Sequence, residues 1–199
     1  MISREQRTPF SEWWWTVDRL LLAAIVALML GGVILSLAAS PPVATRIGLD
    51  PFHFFNRHVL LLLPSVIVLI GVSFLSPRQI RRAALIVFAV SAVLIVATLL
   101  VGPEVKGSRR WITLIGINIQ ASESAKPAFV VLAAWLFAES ARKPDMPATS
   151  IALGLLLTLV ALLVLQPDFG QTMLVLMVWG ALFFIAGMRM IWVAGLAAA

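Results

Sequence analysis

The stretch Leu20–Ala39, which reads LLLAAIVALMLGGVILSLAA, contains twenty residues and no charge. About 20 apolar residues suffice for a helix to cross a hydrocarbon layer ~30 Å thick, so this stretch predicts a transmembrane helix. The whole chain of 199 residues is 61% hydrophobic and 12% charged. Soluble domains contain roughly 25% charged residues, and the composition therefore predicts an all-α integral membrane protein.

Further apolar stretches predict a polytopic helical bundle that forms a single membrane domain over residues 1–199. Six complete transmembrane segments and the start of a seventh are expected, at residues 20–39, 59–75, 83–101, 127–138, 148–165, 169–187 and 190–199. The first segment is too long for the apolar part of a cleavable signal peptide and is expected to remain as an anchor. Pro64 is expected to kink the second segment.

The N-terminus is predicted to be cytoplasmic, because Lys and Arg accumulate on the cytoplasmic side of membrane proteins. This orientation leaves nine cations inside, namely Arg4, Arg7, Arg19, Arg78, Arg81, Arg82, Arg142, Lys143 and Arg189. It leaves six outside, namely Arg46, Arg57, Lys106, Arg109, Arg110 and Lys126. The net charge of +6 is spread over several loops, so membrane orientation explains it better than nucleic-acid binding does.

The chain contains no cysteine, which excludes disulfides and thiolate chemistry from these residues. His53 and His58 lie five residues apart in a predicted loop, and this spacing does not match the i,i+4 histidine pair of helical metal sites. We therefore predict no metal site, and no cofactor is evident. Assistance by a divalent cation such as Mg²⁺ stays open.

Four of the six outer cations lie in the loop between Gly102 and Lys126. Four hydrophobic residues around Gly116 predict a short hairpin on the membrane surface: Ile112, Leu114, Ile117 and Ile119. The loop closes with the sequence QASESAKP at residues 120–127. Its serines are expected to cap a helix whose first turn contains Pro127.

An arginine-rich loop on the outer side is unusual, because Lys and Arg accumulate on the cytoplasmic side, and its cations therefore need a physical explanation. Guanidinium groups bind phosphate bidentately, and a helix N-terminus adds backbone N–H donors. Arg109, Arg110 and Lys126 therefore suit the diphosphate of a lipid-linked substrate. They suit equally well the anionic headgroups of the membrane, with Glu123 pairing inside the loop. The residues alone leave both interpretations open.

A second polar segment, QPDFGQ at residues 166–171, connects two long apolar segments on the same predicted side. Proline, aspartate and glycine are typical turn residues, which accounts for the segment by itself. Asp168, however, is an ionisable residue at the predicted edge of the hydrocarbon layer. Such a residue normally pairs with an opposite charge or faces a hydrated cavity. Arg109, Arg110 and Lys126 are the available partners, so a structural turn and a functional cavity both stay open.

Three elements together resemble the SEDS family (FtsW, RodA and SpoVE) and occur in the family's order and spacing. They are GSRRW at residues 107–111, QASESAK at residues 120–126 and QPDFGQ at residues 166–171. The flank WWWTVDR at residues 13–19 is similar to that of alphaproteobacterial members of the FtsW branch, which act in cell division. The departures are Ala121, Phe169 and Gln171, which replace the family's proline, leucine and threonine.

The resemblance implies that this chain is the N-terminal half of a larger bundle. It implies a peptidoglycan glycosyltransferase of the bacterial cytoplasmic (inner) membrane, which polymerises lipid II at the outer face during cell division at the septum. The implied partners are a class B penicillin-binding protein and other divisome proteins. The family's catalytic aspartate is expected in a later loop, so this fragment alone is expected to be inactive. Substrate contacts are expected from Arg109, Arg110, Gln120, Glu123, Lys126 and Asp168.

Two alternatives to the polymerase stay open: a flippase that moves lipid II across the bilayer, and a division scaffold without chemistry. A flippase needs polar groups near the bilayer midplane, along the path of its substrate. The predicted segments offer essentially Ser, Thr and Gly there, whereas charged residues cluster at the outer edge. This pattern favours polymerisation at the outer face.

Single cysteines at Ser108 and Ser140 test the orientation, because these positions are predicted to lie on opposite sides of the membrane. The experiment uses a cysteine-free version of the full-length protein. In intact cells, we expect a membrane-impermeant thiol reagent to label Ser108→Cys. Ser140→Cys should react only after the membrane is permeabilised. Equal labelling of both variants in intact cells contradicts the orientation.

Overall fold

A computed structural model describes residues 9–104, 107–114, 117–143 and 145–187. These residues form seven helices and one two-stranded sheet, and the chain divides into two compact units, residues 1–76 and 77–199. The predicted helical fold is confirmed. The predicted seventh segment, residues 190–199, lies outside the described residues.

The first unit contains α1 (Pro9–Thr16), α2 (Arg19–Arg46) and α3 (His53–Ser73). The side chain of Asp18 accepts a hydrogen bond from the backbone N–H of Leu21 at 3.0 Å. This bond satisfies one of the free donors at a helix start. Because of this cap, α2 begins as a new helix and does not continue α1.

Trp13 ties α1 to the end of α3. Its indole Nε1 donates a hydrogen bond to Ser73 Oγ at 2.7 Å. The same ring stacks on Phe74, with the two centroids 5.1 Å apart and the planes 19° from parallel. A hydrogen bond and a ring contact together fix the side of α3 on which α1 lies.

The other two tryptophans of α1 contact Arg19. The guanidinium of Arg19 lies 5.2 Å from the ring centroid of Trp14 and 5.2 Å from that of Trp15. Both rings are exposed. Indoles and arginine side chains of this kind prefer the headgroup level of a membrane, and the ring faces attract the cation.

α2 continues beyond residue 39, where the predicted segment ends, and passes through Pro41 and Pro42. The helix is therefore longer than the predicted span, whose bounds stay a prediction. Ser40 gives a physical reason, because its hydroxyl is buried and connects this part of α2 to the start of α3. Ser40 Oγ donates to Pro51 O at 2.8 Å and accepts from the N–H of Phe55 at 3.3 Å.

The prediction that His53 and His58 lie in a loop is wrong, because α3 begins at His53. The polar residues of the stretch FHFFNRH (52–58) interrupt the apolar run and hide the first turns of the helix. His58 Nε2 is buried without a hydrogen-bond partner among the described residues. It lies close to Gly32, where an added Cβ would be 3.7 Å away. Pro64 lies inside α3, and the kink expected there stays a prediction.

The second unit contains α4 (Pro77–Val101), α5 (Ala121–Arg142), α6 (Ala148–Leu165) and α7 (Phe169–Ile185). α5 packs against the other three helices and is central to the unit. Small and large side chains mix on its buried face, which allows neighbouring helices to approach closely. These residues are Ala121, Ala125, Ala128, Phe129, Leu132, Ala133, Leu136 and Phe137.

An antiparallel hairpin precedes α5 and consists of β1 (Ile112–Leu114) and β2 (Ile117–Ile119). Thr113 Oγ1 donates a hydrogen bond to Asn118 Oδ1 at 2.8 Å between the strands. Side-chain pairs of this kind stabilise short hairpins, which are only marginally stable when isolated. The predicted hairpin is confirmed.

α5 is longer at both ends than the predicted segment 127–138. The expected serine cap is wrong, because the residue before the helix is Gln120, which makes no side-chain capping bond. The expected position of Pro127 in the first turn is also wrong, since Pro127 lies inside the helix. The first turns of α5 contain polar residues, which a search for apolar runs excludes.

The serine of α5 that was expected to cap the helix contributes to helix packing. Ser124 Oγ donates to Ala121 O at 3.0 Å within the helix. It also shares a hydrogen bond of 2.9 Å with Ser91 Oγ of α4. Ser91 is buried, so this pair satisfies a polar group between two helices that would otherwise meet only apolar neighbours.

Within the described part of the chain, α2, α3, α4 and α6 are long and apolar enough to cross a membrane. α7 is a shorter apolar helix of 17 residues. α5 has charged residues near both ends, including Glu123 and Arg142. The chain is a multi-pass membrane protein, and the count of six complete crossings stays a prediction.

An aromatic cluster between α5 and α7 offers a test of the packing. Its rings, Phe137, Trp179 and Phe183, have centroid separations of 4.9, 5.7 and 5.9 Å. We expect Phe137→Ala to lower the free energy of unfolding by roughly 3–5 kcal/mol, because it leaves a cavity. Thermal unfolding of the purified full-length protein in detergent measures the change.

Trp179→Phe is the matched control. The indole Nε1 of Trp179 is buried and has no hydrogen-bond partner among the residues described. Phenylalanine keeps the ring contacts and loses no hydrogen bond, so this variant should change the melting temperature little. A larger loss for Trp179→Phe than for Phe137→Ala contradicts the assignment of the cluster.

Candidate functional site

Three segments of the second unit meet at one end of α5. They are the arginines that precede β1, the first turns of α5 and the turn between α6 and α7. The turn begins at Gln166, where α6 ends, and includes Asp168, which precedes the first residue of α7. These are the three segments that the sequence analysis singled out, and the fold brings them together.

Arg110 holds the α6–α7 turn with all three of its nitrogen positions. Its Nη1 lies 3.5 Å from Asp168 Oδ1. Nη2 donates to Pro167 O at 2.6 Å, and Nε donates to Gln166 O at 3.4 Å. These carbonyls follow the C-terminal end of α6, where the helix dipole favours a cation. Arg110 therefore neutralises the carboxylate and the helix end at once.

Asp168 is the most deeply placed acid of this site. Its side chain is 8% exposed, against 34% for the side chain of Arg110. Of the three cations that were possible partners of Asp168, Arg110 is the one that contacts it. Asp168 Oδ2 is buried and has no hydrogen-bond partner among the described residues. Burial of a carboxylate without a cation is costly, so the contact with Arg110 stabilises the buried position of Asp168 in this turn.

Lys126 forms a second cluster one helical turn inside α5. Its Nζ lies 2.9 Å from Glu123 Oε2 and also donates a hydrogen bond to Gln171 Oε1 of α7. The side chain of Lys126 is 16% exposed and that of Glu123 is 54% exposed. The ammonium is thus largely covered, whereas its acid partner faces outward.

Arg109 is the most open cation of the three. Its Nη2 lies 3.8 Å from Glu104 Oε2, and its Nη1 donates to Leu99 O at 3.4 Å. The exposed fractions of the two side chains in this pair are 44% and 60%. Exposed pairs of this length contribute about 0–1 kcal/mol, so Arg109 can exchange its partner easily.

Gln120 stays apart from these ion pairs. Its Nε2 donates to Ser122 Oγ at 3.2 Å within its own turn. Among the described residues, no group of three or more His, Asp or Glu lies close enough to hold a metal ion. Assistance by a divalent cation such as Mg²⁺ therefore stays open.

An apolar cavity of about 210 Å³ adjoins the site between α5 and α7. Lys126 stands at its polar end, and the other lining residues are Pro127, Phe129, Val130, Leu174, Val175 and Val178. Cavities for drug-sized ligands measure roughly 300–1,000 Å³, so this one has room only for part of an apolar chain.

Sequence reasoning missed two contacts that shape the site. One is the hydrogen bond from Gln166 Nε2 to Arg109 O, at 3.1 Å. The other is the bond between Lys126 and Gln171. Glutamine is a common residue in polar turns, so nothing in the local sequence predicts either contact.

The chain matches the family profile described as cell cycle protein (FtsW, RodA, SpoVE) over residues 18–199. A curated relative from Caulobacter vibrioides, "Probable peptidoglycan glycosyltransferase FtsW", is 42% identical over 196 residues, covering 98% of this chain and 50% of the relative. The protein of the same description from Alteromonas naphthalenivorans is 38% identical over 162 residues, covering 80% and 31%. The chain thus spans half the length of these relatives, or less.

Two solved structures have a similar fold. The rod shape determining protein RodA of Thermus thermophilus superposes with a TM-score of 0.62 at 26% identity, over 84% of this chain and 57% of that chain. The second is a chain from a structure described as the structural coordination of polymerization and crosslinking by a peptidoglycan synthase complex. It superposes with a TM-score of 0.70 at 28% identity, over 93% of this chain and 52% of that chain.

The fold and the site define a polytopic helical membrane protein with a polar, cation-containing end on an apolar bundle. The chain belongs to the FtsW/RodA/SpoVE family, the SEDS proteins. The resemblance based on three short elements is therefore confirmed, and so is the similarity to an alphaproteobacterial FtsW.

Arg110→Ala tests the ion pair at the turn. Removing one partner of a buried pair leaves an uncompensated charge, so we expect a loss of roughly 3–5 kcal/mol in the free energy of unfolding. Adding Asp168→Asn should recover part of this loss, because the unpaired charge disappears. Chemical unfolding of the full-length protein in detergent measures both variants.

Arg109→Ala is the control for this experiment, since it removes a neighbouring arginine from an exposed pair. We expect it to cost about 0–1 kcal/mol. Equal losses for the two arginine variants contradict a special role of the Arg110–Asp168 pair.

Proposed function

We propose that the full-length protein polymerises lipid II into glycan strands at the outer face of the cytoplasmic membrane during cell division. The observation that carries this proposal is the convergence of Arg109, Arg110 and Lys126 at one end of the second unit. The relatives described as peptidoglycan glycosyltransferases support the reaction class. The chain spans half the length of such a relative. We therefore propose polymerisation for the full-length protein and not for this chain alone.

Each of the three cations has an acid partner, so the site is close to neutral in the absence of a ligand. The partners of Arg109 and Lys126 are Glu104 and Glu123, whose side chains are 60% and 54% exposed. Exposed carboxylates can move away at little cost when a phosphate arrives. Arg109 can therefore meet a diphosphate directly, whereas the ammonium of Lys126, whose side chain is 16% exposed, must also be uncovered.

Arg110 has a different part in this proposal. Its partner Asp168 is buried, and its other donors are bound to the turn. Arg110 and Asp168 then fix the α6–α7 turn beside the two other cations, and the substrate would bind next to this turn. Gln120 and Glu123, at the start of α5, line the side on which the helix N-terminus offers backbone donors.

The chemistry is a displacement at a sugar carbon. The hydroxyl oxygen of the acceptor sugar forms a bond to the anomeric carbon of the donor, and the bond from that carbon to the lipid diphosphate breaks. A carboxylate takes the hydroxyl proton. The cations stabilise the charge that develops on the departing diphosphate. The family resemblance leads us to expect the proton-accepting aspartate in the remaining half of the protein.

The partner in this proposal is a class B penicillin-binding protein, with which the polymerase acts at the septum together with other divisome proteins. The similarity to a chain of a peptidoglycan synthase complex supports such a partner. A flippase receives less support, since the buried polar residues inside the described helices are Ser and Thr, such as Ser91 and Thr98, apart from the buried Nε2 of His58.

Asp168→Asn in the full-length protein tests the cavity. Asparagine serves a turn as well as aspartate does, so a role in turn geometry alone predicts no change, and the stability of the variant is measured separately to detect loss of the ion pair. If the carboxylate orients Arg110 in the cavity, polymerisation of purified lipid II should fall about tenfold, which corresponds to ~1.4 kcal/mol. Glycan strands are measured on gels, with the protein reconstituted together with its penicillin-binding partner.

The control is Asp145→Asn, which makes the same chemical change at an exposed residue remote from the cavity. Complementation of a division-defective strain, at matched membrane abundance, gives the result in cells. Normal activity of Asp168→Asn overturns its cavity role. Transport of lipid II across vesicles by a parent protein that forms no glycan strands replaces the polymerase with the flippase.

A further inference from the structure

Gln166 is buried to an unusual degree for an amide in a turn between two helices. Its residue is 1% exposed. Its Nε2 donates to the backbone oxygen of Arg109 at 3.1 Å, whereas its Oε1 has no hydrogen-bond partner in the part of the chain that the structure describes. A buried acceptor without a partner costs about 1–3 kcal/mol. Stability alone therefore gives little reason to have an amide at this position.

The contact between loop and turn runs in both directions. Gln166 of the turn donates to the main chain of Arg109, and Arg110 of the loop donates to the carbonyls of Gln166 and Pro167. Two consecutive loop residues are thus fixed, one through its backbone and the other through its side chain. The guanidinium of Arg109 is the part that this arrangement leaves exchangeable.

We propose that Gln166 is a positioning residue: its buried amide holds the main chain of Arg109 so that the guanidinium of Arg109 meets the diphosphate of the lipid-linked substrate. This inference rests on the proposed function. The amide acts through Arg109 and has no contact of its own with the substrate. It supplies preorganisation, since a cation on a fixed backbone loses less entropy on binding.

The first measurement concerns the loop without substrate. Gln166→Met keeps the length of the side chain and removes the donor. In detergent-solubilised full-length protein, we expect trypsin to cleave after Arg109 and Arg110 about five- to tenfold faster in this variant, because the loop opens more often. Thr158→Val is the control, since it removes a hydroxyl that bonds only within α6, to Gly154 O at 2.8 Å.

The second measurement separates positioning from folding. Gln166→Met should raise KM for lipid II roughly five- to tenfold and leave kcat nearly unchanged, as expected when a binding interaction is lost. In an Arg109→Ala background, the same substitution should have no further effect on KM, because both changes remove one contribution. Gln166→Leu, which removes both the donor and the unpaired acceptor without adding a charge, serves as the second variant.

The outcomes are distinct. Faster cleavage, a raised KM and non-additivity with Arg109→Ala support the proposal. Unchanged cleavage, or a KM effect that persists in full without the Arg109 side chain, overturns it. A loss confined to kcat also overturns it. A parent protein that forms no glycan strands from lipid II contradicts the proposed function, and the substrate part of this inference with it, while the cleavage rates still decide whether Gln166 holds the loop.

Discussion

The ion pair between Arg110 and the buried carboxylate of Asp168 is the contact on which the polar end of the second unit depends. Asp168 is 6% exposed, and desolvation of a carboxylate costs several kcal/mol unless a cation compensates it. Arg110 supplies that charge from a loop distant in sequence and binds two carbonyls of the same turn. The hairpin and the start of α5 follow this loop along the chain, so their positions depend on the same contact.

The three ion pairs of the site differ in burial, and this difference assigns their roles. The carboxylates of Glu104 and Glu123 face outward, whereas that of Asp168 faces inward. Exposed pairs form and break at little cost, and buried ones do not. A single polar end can therefore contain a fixed ion pair, which maintains its shape, and an exposed cation, Arg109, which can meet an anionic ligand. The proposed polymerase needs both properties.

Much of the fold follows from hydropathy, because long uncharged runs have no alternative to a membrane helix. For Asp168 the sequence indicated a cation or a hydrated cavity and offered three cations, and only the structure identifies Arg110 as the partner. The start of α5 was not predictable, because Ser, Glu and Lys in its first turns look like a loop until their tertiary partners are known. The hydrogen bond from Gln166 to Arg109 was not predictable either. The two residues are 57 positions apart, and nothing in the sequence around a glutamine indicates so distant a partner.

The contact of Arg19 with Trp14 and Trp15 gathers three side chains that prefer the membrane interface at the start of α2. Both indoles and the guanidinium favour the headgroup level, where each keeps a polar neighbour. A shift of α2 inward by one helical turn, about 5.4 Å, would carry all three groups into hydrocarbon. The opposite shift would place the apolar residues after Leu20 in water. These three side chains and the apolar run after Leu20 thus oppose shifts of the first long helix in opposite directions.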